Sequence, residues 1–184
     1  MKNNKKIKII LPIVIVLVLV GMYFIKNNGT INYTNKVKSE DSIDKSEGEF
    51  ALLIESGLPD LEGYAKKGLP VIIDYGSDTC APCRLMAPEF ESFHDKMVEK
   101  AFVKYVDIDL NREAAKEVPI QVIPTQVFYN ADGTPFEPSE EIMEKYNFQV
   151  YNHNVTKKHL FTIHQGFLSE EQLLEISKEM GVQE

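Results

Sequence analysis

A chain of 184 residues, 43% of them hydrophobic, can bury one proper core and leaves little room for a second. Its formal net charge of -8 is uneven: residues 1–29 hold five lysines and no acid, so residues 30–184 carry -13. An acidic body of that kind is a poor partner for polyanions, and no nucleic acid is expected to bind.

The N-terminus divides by composition. Residues 7–25 are apolar apart from Lys8, Pro12 and Gly21, and about 20 apolar residues span a bilayer core. A cleaved signal peptide has a shorter apolar region, about 7–15 residues, closed by small residues. This run instead ends in Tyr23, Phe24, Ile25 and Lys26, with no A-x-A pattern and no cysteine to lipidate. The sequence therefore predicts a transmembrane signal anchor at 7–25. Four lysines lie at its start and one follows it, so residues 1–6 are expected in the cytoplasm and the rest of the chain outside. Residues 26–49 are polar with scattered charge and read as a flexible linker. The folded domain is expected over 50–184.

Within that domain, Leu58 to Lys67 predicts a short helix closed by Gly68. Pro70 to Tyr75 is a short, β-branched run that suits a buried strand. From Cys80 the apolar positions Met86, Phe90, Phe93 and Met97 recur at helical spacing, with Pro88 inside as a kink. Ala101 to Ile108 reads as a second strand, Asn111 to Glu117 as a short helix, and Val122 to Tyr129 as a third strand. Asn130-Ala-Asp-Gly133 has the composition of a turn leading into a hairpin. Residues 137–158 carry mixed signals, with a short helix over Ile142 to Tyr146, and read as a long surface excursion. A docking surface for a dedicated partner is the alternative. Leu160 to His164 reads as the last strand. Ser169 to Met180 reads as a helix with capping-box spacing at Ser169 and Gln172 and a stop at Gly181. Strand, helix, strand implies a parallel crossover, and the hairpin adds antiparallel strands. The expected class is α/β, a mixed central sheet with helices on both faces.

Both cysteines of the chain fall in D-Y-G-S-D-T-C-A-P-C-R, residues 74–84. Cys80 stands where a strand meets a helix, and unpaired amides and the helix dipole there favour a thiolate. Cys83 lies one turn on, where it can attack a mixed disulfide and release the product. A zinc site would need two further ligands from His94, His153, His159 and His164. His159 and His164 have a permissible spacing but lie about eighty residues away. A c-type haem would need histidine where Arg84 stands, and a purely structural disulfide would close a very small loop.

The stretch resembles the active site of the thioredoxin family, whose usual form is a strand followed by W-C-G-P-C-K. Asp74 lies six residues before Cys80, Pro82 and Pro88 match the motif and helix prolines, and Ile123-Pro124-Thr125 resembles the family's I-P-T, 44 residues after Cys80. The resemblance covers about residues 50–183 and implies a thioredoxin-like fold with Cys80 as nucleophile and Cys83 as resolving thiol. It implies Asp74 as the buried acid that aids deprotonation of Cys83, and a cis Pro124 packed beside the disulfide. Substrate would lie against Thr79, Ala81, Pro82, Ile123 and Pro124. Departures are Thr79 for tryptophan, Ala81 for glycine and Arg84 for lysine. The family's buried lysine falls at Tyr105, with Lys104 pointing to the other face.

Protein disulfides are the expected substrates, with no cofactor beyond the Cys80–Cys83 disulfide and no metal. Ala81 and Pro82 bring no charge or polar donor to the nucleophile, which favours a reductase over an oxidase; Arg84 pulls modestly the other way. An extracytoplasmic reductase needs an electron source, and the resemblance to membrane-tethered thioredoxins implies a transmembrane thiol carrier of the cytochrome-c-biogenesis type. A disulfide oxidase or isomerase on the same scaffold, and a non-enzymatic metal-binding or interaction module, are the alternatives.

Overall fold

The run Val71–Gly76 forms β1, and every residue in it is buried, as a β-branched strand at the centre of a two-faced sheet requires. The computed structural model describes residues 48–183; the expected cytoplasmic N-terminus, the anchor at 7–25 and nearly all of the linker at 26–49 lie outside them. Helix α1, Leu61–Lys67, precedes β1. It starts three residues later than its apolar pattern suggests, because Pro59 restricts the residue before it and Asp60 caps the helix, accepting from Gly63 N at 2.9 Å. Gly68, at φ 68°, ends it.

From β1 the chain enters α2, Ala81–Met97, then returns as β2, Phe102–Asp107, which pairs in parallel with β1. Helix α3, Arg112–Lys116, is capped by Asn111. Strand β3, Thr125–Tyr129, pairs antiparallel with β1 on the other side. Helix α4, Glu140–Lys145, and β4, Gln149–Asn152, follow. Strand β5, His159–Gln165, and α5, Glu170–Glu179, complete the domain. The five strands stand in the order β2-β1-β3-β5-β4. α5 carries the capping box at Ser169 and Gln172.

Strand alternation gives the sheet two apolar faces. One holds Ile72, Val103 and Phe128 beneath Met86, Phe90 and Phe93 of α2 and Leu173 and Ile176 of α5. The other holds Val71, Ile73, Phe102 and Val127, with Leu61 and Tyr64 of α1 packed on it. The mixed sheet covered on both faces matches the class expected from sequence. Among the described residues no helix is long and apolar enough to cross a membrane.

Two expectations need correction. The turn at Asn130–Gly133 forms, with Gly133 N donating to Asn130 O at 2.9 Å and Gly133 at φ 80°. Its return strand, however, is one bridge, Tyr129 to Pro135. Pro135 and Pro138 lack the N–H groups that a ladder needs, and β3 takes β5 as its partner instead. Residues 137–158 are also more than a surface excursion. They supply α4 and the edge strand β4, and they bury Ile142, Tyr146 and Phe148 in the α2/α5 core. Phe148 stands edge-on to Phe128, with ring centroids 5.1 Å apart. Only the β4–β5 connection is an open tip, where Val155 is 84% exposed. Replacing Phe148 by Leu is expected to lower unfolding stability by about 1–2 kcal/mol. Val155→Ser should stay within about 0.5 kcal/mol of the parent. Denaturant titration of the two variants separates an integral insertion from a decorative one, and equal midpoints would reject the first.

Candidate active site

Strand β1 ends at Gly76, where a side chain would collide with Tyr105: a Cβ would sit 2.9 Å from its Cε2. The chain then bends through a loop fastened by buried Ser77. Its hydroxyl donates to Asp109 Oδ2 at 2.6 Å and accepts from Thr79 N at 3.1 Å, and its carbonyl accepts from Cys80 N at 3.1 Å. Asp107, at the end of β2, holds the facing loop by accepting from Asp109 N and Leu110 N. Arg84 Nη1 closes the outside of the loop, donating to Asp78 O at 2.9 Å.

Cys80 is the N-cap of α2, with extended backbone at φ -84° and ψ 120°. Its sulfur accepts from Cys83 N at 3.2 Å, which places it on the unpaired amides of the first helical turn. Cys80 and Cys83 form a disulfide, with Cα atoms 5.3 Å apart. Cys83 is buried, whereas Cys80 is partly exposed and flanked by exposed Thr79, Ala81 and Pro82. A molecule approaching from solvent therefore meets Cys80 before Cys83. No acid lies in the first turn of α2 to oppose a thiolate.

The Ile123–Pro124 bond is cis, as the sequence resemblance implies. Pro124 is buried, and its carbonyl accepts from Gly166 N at 2.9 Å, tying this loop to the end of β5. The carbonyl of Ile123 lies 3.6 Å from Cys80 Sγ. The fold thus brings Cys80, Cys83, Ile123 and Pro124 together from segments some forty residues apart.

Asp74 sits in β1 beneath the motif and is 3% exposed. Burial raises its carboxyl from 3.8 to about 7, against the opposing effect of a hydrogen bond from Gln126. Gln126 Nε2 donates to Asp74 Oδ1 at 2.7 Å and lies 3.4 Å from Sδ of Met86, which faces inward one turn after Cys83. Tyr105 is the register partner of Asp74 on β2. Lys104 points to the opposite face, as expected, donating from Nζ to Glu49 O at 2.6 Å and Ala51 O at 2.5 Å. It also stands over the rings of Tyr64 and Phe102, and burial lowers it to about 8.

The histidines are engaged elsewhere. His94 Nε2 contacts Phe50 O at 2.8 Å, and His159 Nε2 contacts Thr162 Oγ1 at 2.8 Å. His153 Nδ1 accepts from two backbone amides, and His164 Nδ1 meets Gln126 Oε1 at 2.7 Å. Among the described residues no group of three or more His, Cys, Asp or Glu is placed to hold a metal. Sequence reasoning missed Ser77, Asp109 and Gln126, and weighed His164 only as a zinc ligand. The signal available for the last two was polar residues at inward-facing positions of otherwise apolar strands.

The thioredoxin family profile matches residues 62–156. A thioredoxin of Alicyclobacillus acidocaldarius is 32% identical over 79 residues, 40% of this chain and 74% of that protein. A thioredoxin of Aspergillus fumigatus is 38% identical over 68 residues, 37% of this chain and 61% of the relative. A thioredoxin of Borreliella burgdorferi is 28% identical over 94 residues, 51% of this chain and 80% of the relative. With a family match over more than half its length, joined to a C-x-x-C pair that supports thiol-disulfide oxidoreductase activity, the chain belongs to the thioredoxin family.

Proposed function

We propose that the protein is a membrane-anchored reductase of protein disulfides, with its thioredoxin domain outside the cytoplasm. In the reduced protein, the Cys80 thiolate attacks one sulfur of a substrate disulfide. A Cys80–substrate disulfide forms, and the other substrate sulfur leaves as a thiolate. The Asp74 carboxylate takes the proton from the Cys83 thiol. The Cys83 thiolate then attacks Cys80 Sγ, closing the Cys80–Cys83 disulfide and releasing the second substrate thiolate, which picks up a proton from solvent. Two electrons have moved from the cysteine pair to the substrate. A dithiol carrier spanning the membrane, of the cytochrome-c-biogenesis type, restores the pair. The apolar run at 7–25, with lysines at its cytoplasmic end, supports the anchor and this topology.

The direction of flow rests on one observation, the environment of the Cys80 sulfur. Its hydrogen-bond donor is a backbone amide, Cys83 N, while its other polar neighbour is the Ile123 carbonyl, an acceptor. Ala81 and Pro82 add no side-chain donor. A thiolate so modestly stabilised makes the dithiol state less favourable and the pair more reducing. The test is equilibration of the full-length chain, in detergent, with thiol buffers of known potential. A value near or below about -270 mV is expected; one between about -120 and -180 mV would overturn the direction and assign the protein to disulfide formation or isomerisation.

A further inference from the structure

The register of the sheet lines up one row of side chains across four strands beneath the cysteines. Tyr105 on β2 pairs with Asp74 on β1, Asp74 with Gln126 on β3, and Gln126 with His164 on β5. Beyond β5 stands Phe148, the residue just before β4. Its ring stands edge-on to His164, with centroids 6.2 Å apart. Gln126 is fully buried and His164 is 9% exposed. A buried amide set in an apolar face has to be hydrogen-bonded on both its ends, and Gln126 is. Its Nε2 donates to Asp74 Oδ1 at 2.7 Å, and its Oε1 meets His164 Nδ1 at 2.7 Å.

This row has a polarity. An ionised carboxylate only accepts, so the amide N–H must face Asp74. The amide oxygen then faces His164, whose Nδ1 must carry the hydrogen. Burial keeps His164 neutral, pushed down to about 4, so the ring has one N–H and its tautomer is fixed by this contact. A reversed amide would present oxygen to oxygen at Asp74, and that arrangement is tolerated only when the carboxyl is protonated.

We propose that Gln126 and His164 are positioning residues for the thiol-disulfide chemistry: His164 orients the Gln126 amide, and the amide holds Asp74 as a proton acceptor for Cys83. The inference rests on the role given to Asp74 above. It assigns to an amide–imidazole pair the charge-stabilising task for which Lys104, on the opposite face, is out of reach. The ionisable groups beside Asp74 are Tyr105, its register partner on β2, and His164 from β5 through Gln126; Cys83 of α2 is the proton donor proposed above. Burial and the acids Asp74, Asp78, Asp107 and Asp109 raise Tyr105, so it stays neutral through the range of interest. The outer end of the row is covered by Phe148 of the 137–158 insertion, which joins that segment to the redox centre.

The test mixes the reduced full-length chain in detergent with a chromogenic aryl disulfide and follows thiolate release across pH. The first equivalent reports attack by Cys80 and the second reports resolution by Cys83. Gln126→Leu should leave the first phase and its amplitude intact, and near-UV circular dichroism matching the parent's shows that the variant is folded. It should move the pH midpoint of the second phase upward by about one pH unit, the effect of losing a hydrogen bond to a charged group. His164→Phe should move the midpoint the same way, and His164→Asn, which keeps a donor at the Nδ1 position, should restore it. Unmoved second-phase midpoints in Gln126→Leu and His164→Phe would overturn the proposal, provided that Asp74→Asn does change that phase. If Asp74→Asn leaves it unchanged as well, the assignment of Asp74 itself has failed. A measurement on the unaltered protein serves as a second check. Nitrogen chemical shifts of His164 should show the Nδ1–H tautomer above the midpoint, and an Nε2–H tautomer there would overturn the proposed polarity.

Discussion

Cys83→Ala should abolish turnover of protein disulfides and accumulate mixed disulfides on Cys80, whereas Cys80→Ala should give neither turnover nor adduct. The asymmetry follows from placement. Cys80 caps α2, is partly exposed and has its sulfur on the first-turn amides; Cys83 is buried one turn further in. In the proposed mechanism a substrate disulfide is therefore opened by Cys80. With Cys83 gone, the intermediate has no internal thiolate to resolve it and decays only by exchange with outside thiols. Cells carrying the Cys83→Ala chain should yield adducts on non-reducing gels that collapse on reduction, and the trapped proteins should be exported ones. Equal trapping by Cys80→Ala would reverse the two roles. Trapped proteins drawn from the cytoplasm would reject the extracytoplasmic topology while leaving the chemistry intact.

The legible parts of this molecule were those whose signals are local. The β-branched run at Val71, the helical period from Met86 to Met97 and the box at Ser169 and Gln172 each declare one element through its own residues, and each element forms where the pattern puts it. The cysteine motif was legible for the same reason. The destination of residues 137–158 was not. Tyr146 and Phe148 precede β4 and join the core that holds Leu173 and Ile176 of α5 where the chain enters the β4–β5 pairing, and pairing partners are not written in a strand's own period. The same limit hid Gln126 and the contact that His164 makes with it. Only the β1–β3–β5 register sets Gln126 beside Asp74 and His164 beside Gln126. Lys104 shows the converse. Strand alternation alone put it on the face away from Asp74, and its Nζ lies there on the carbonyls of Glu49 and Ala51.

Asp74→Asn is expected to make the protein more stable and slower at once. Burial raises the Asp74 carboxyl from 3.8 to about 7 in the folded chain. The folded state therefore holds the proton more tightly than the unfolded state does between those two values. Linkage then removes stability as pH rises from about 4 to about 7, with no further change above that. At neutral pH the loss corresponds to about 4 kcal/mol at most. Asparagine keeps the acceptor that Gln126 uses and carries no charge, so the variant should exceed the parent by about 2–4 kcal/mol at pH 8 and match it near pH 4. Thermal unfolding across that range measures the gap, and parallel curves for the two proteins would remove the case for a raised carboxyl. Turnover should move the other way. Without a carboxylate to take the Cys83 proton, resolution above pH 7 should slow by about 10²-fold, the low end of what a positioned base contributes. A buried acid that weakens the fold where it is ionised is accounted for by the proton transfer proposed for it. A variant that gained stability without losing rate would show that Asp74 is only a burden on the core.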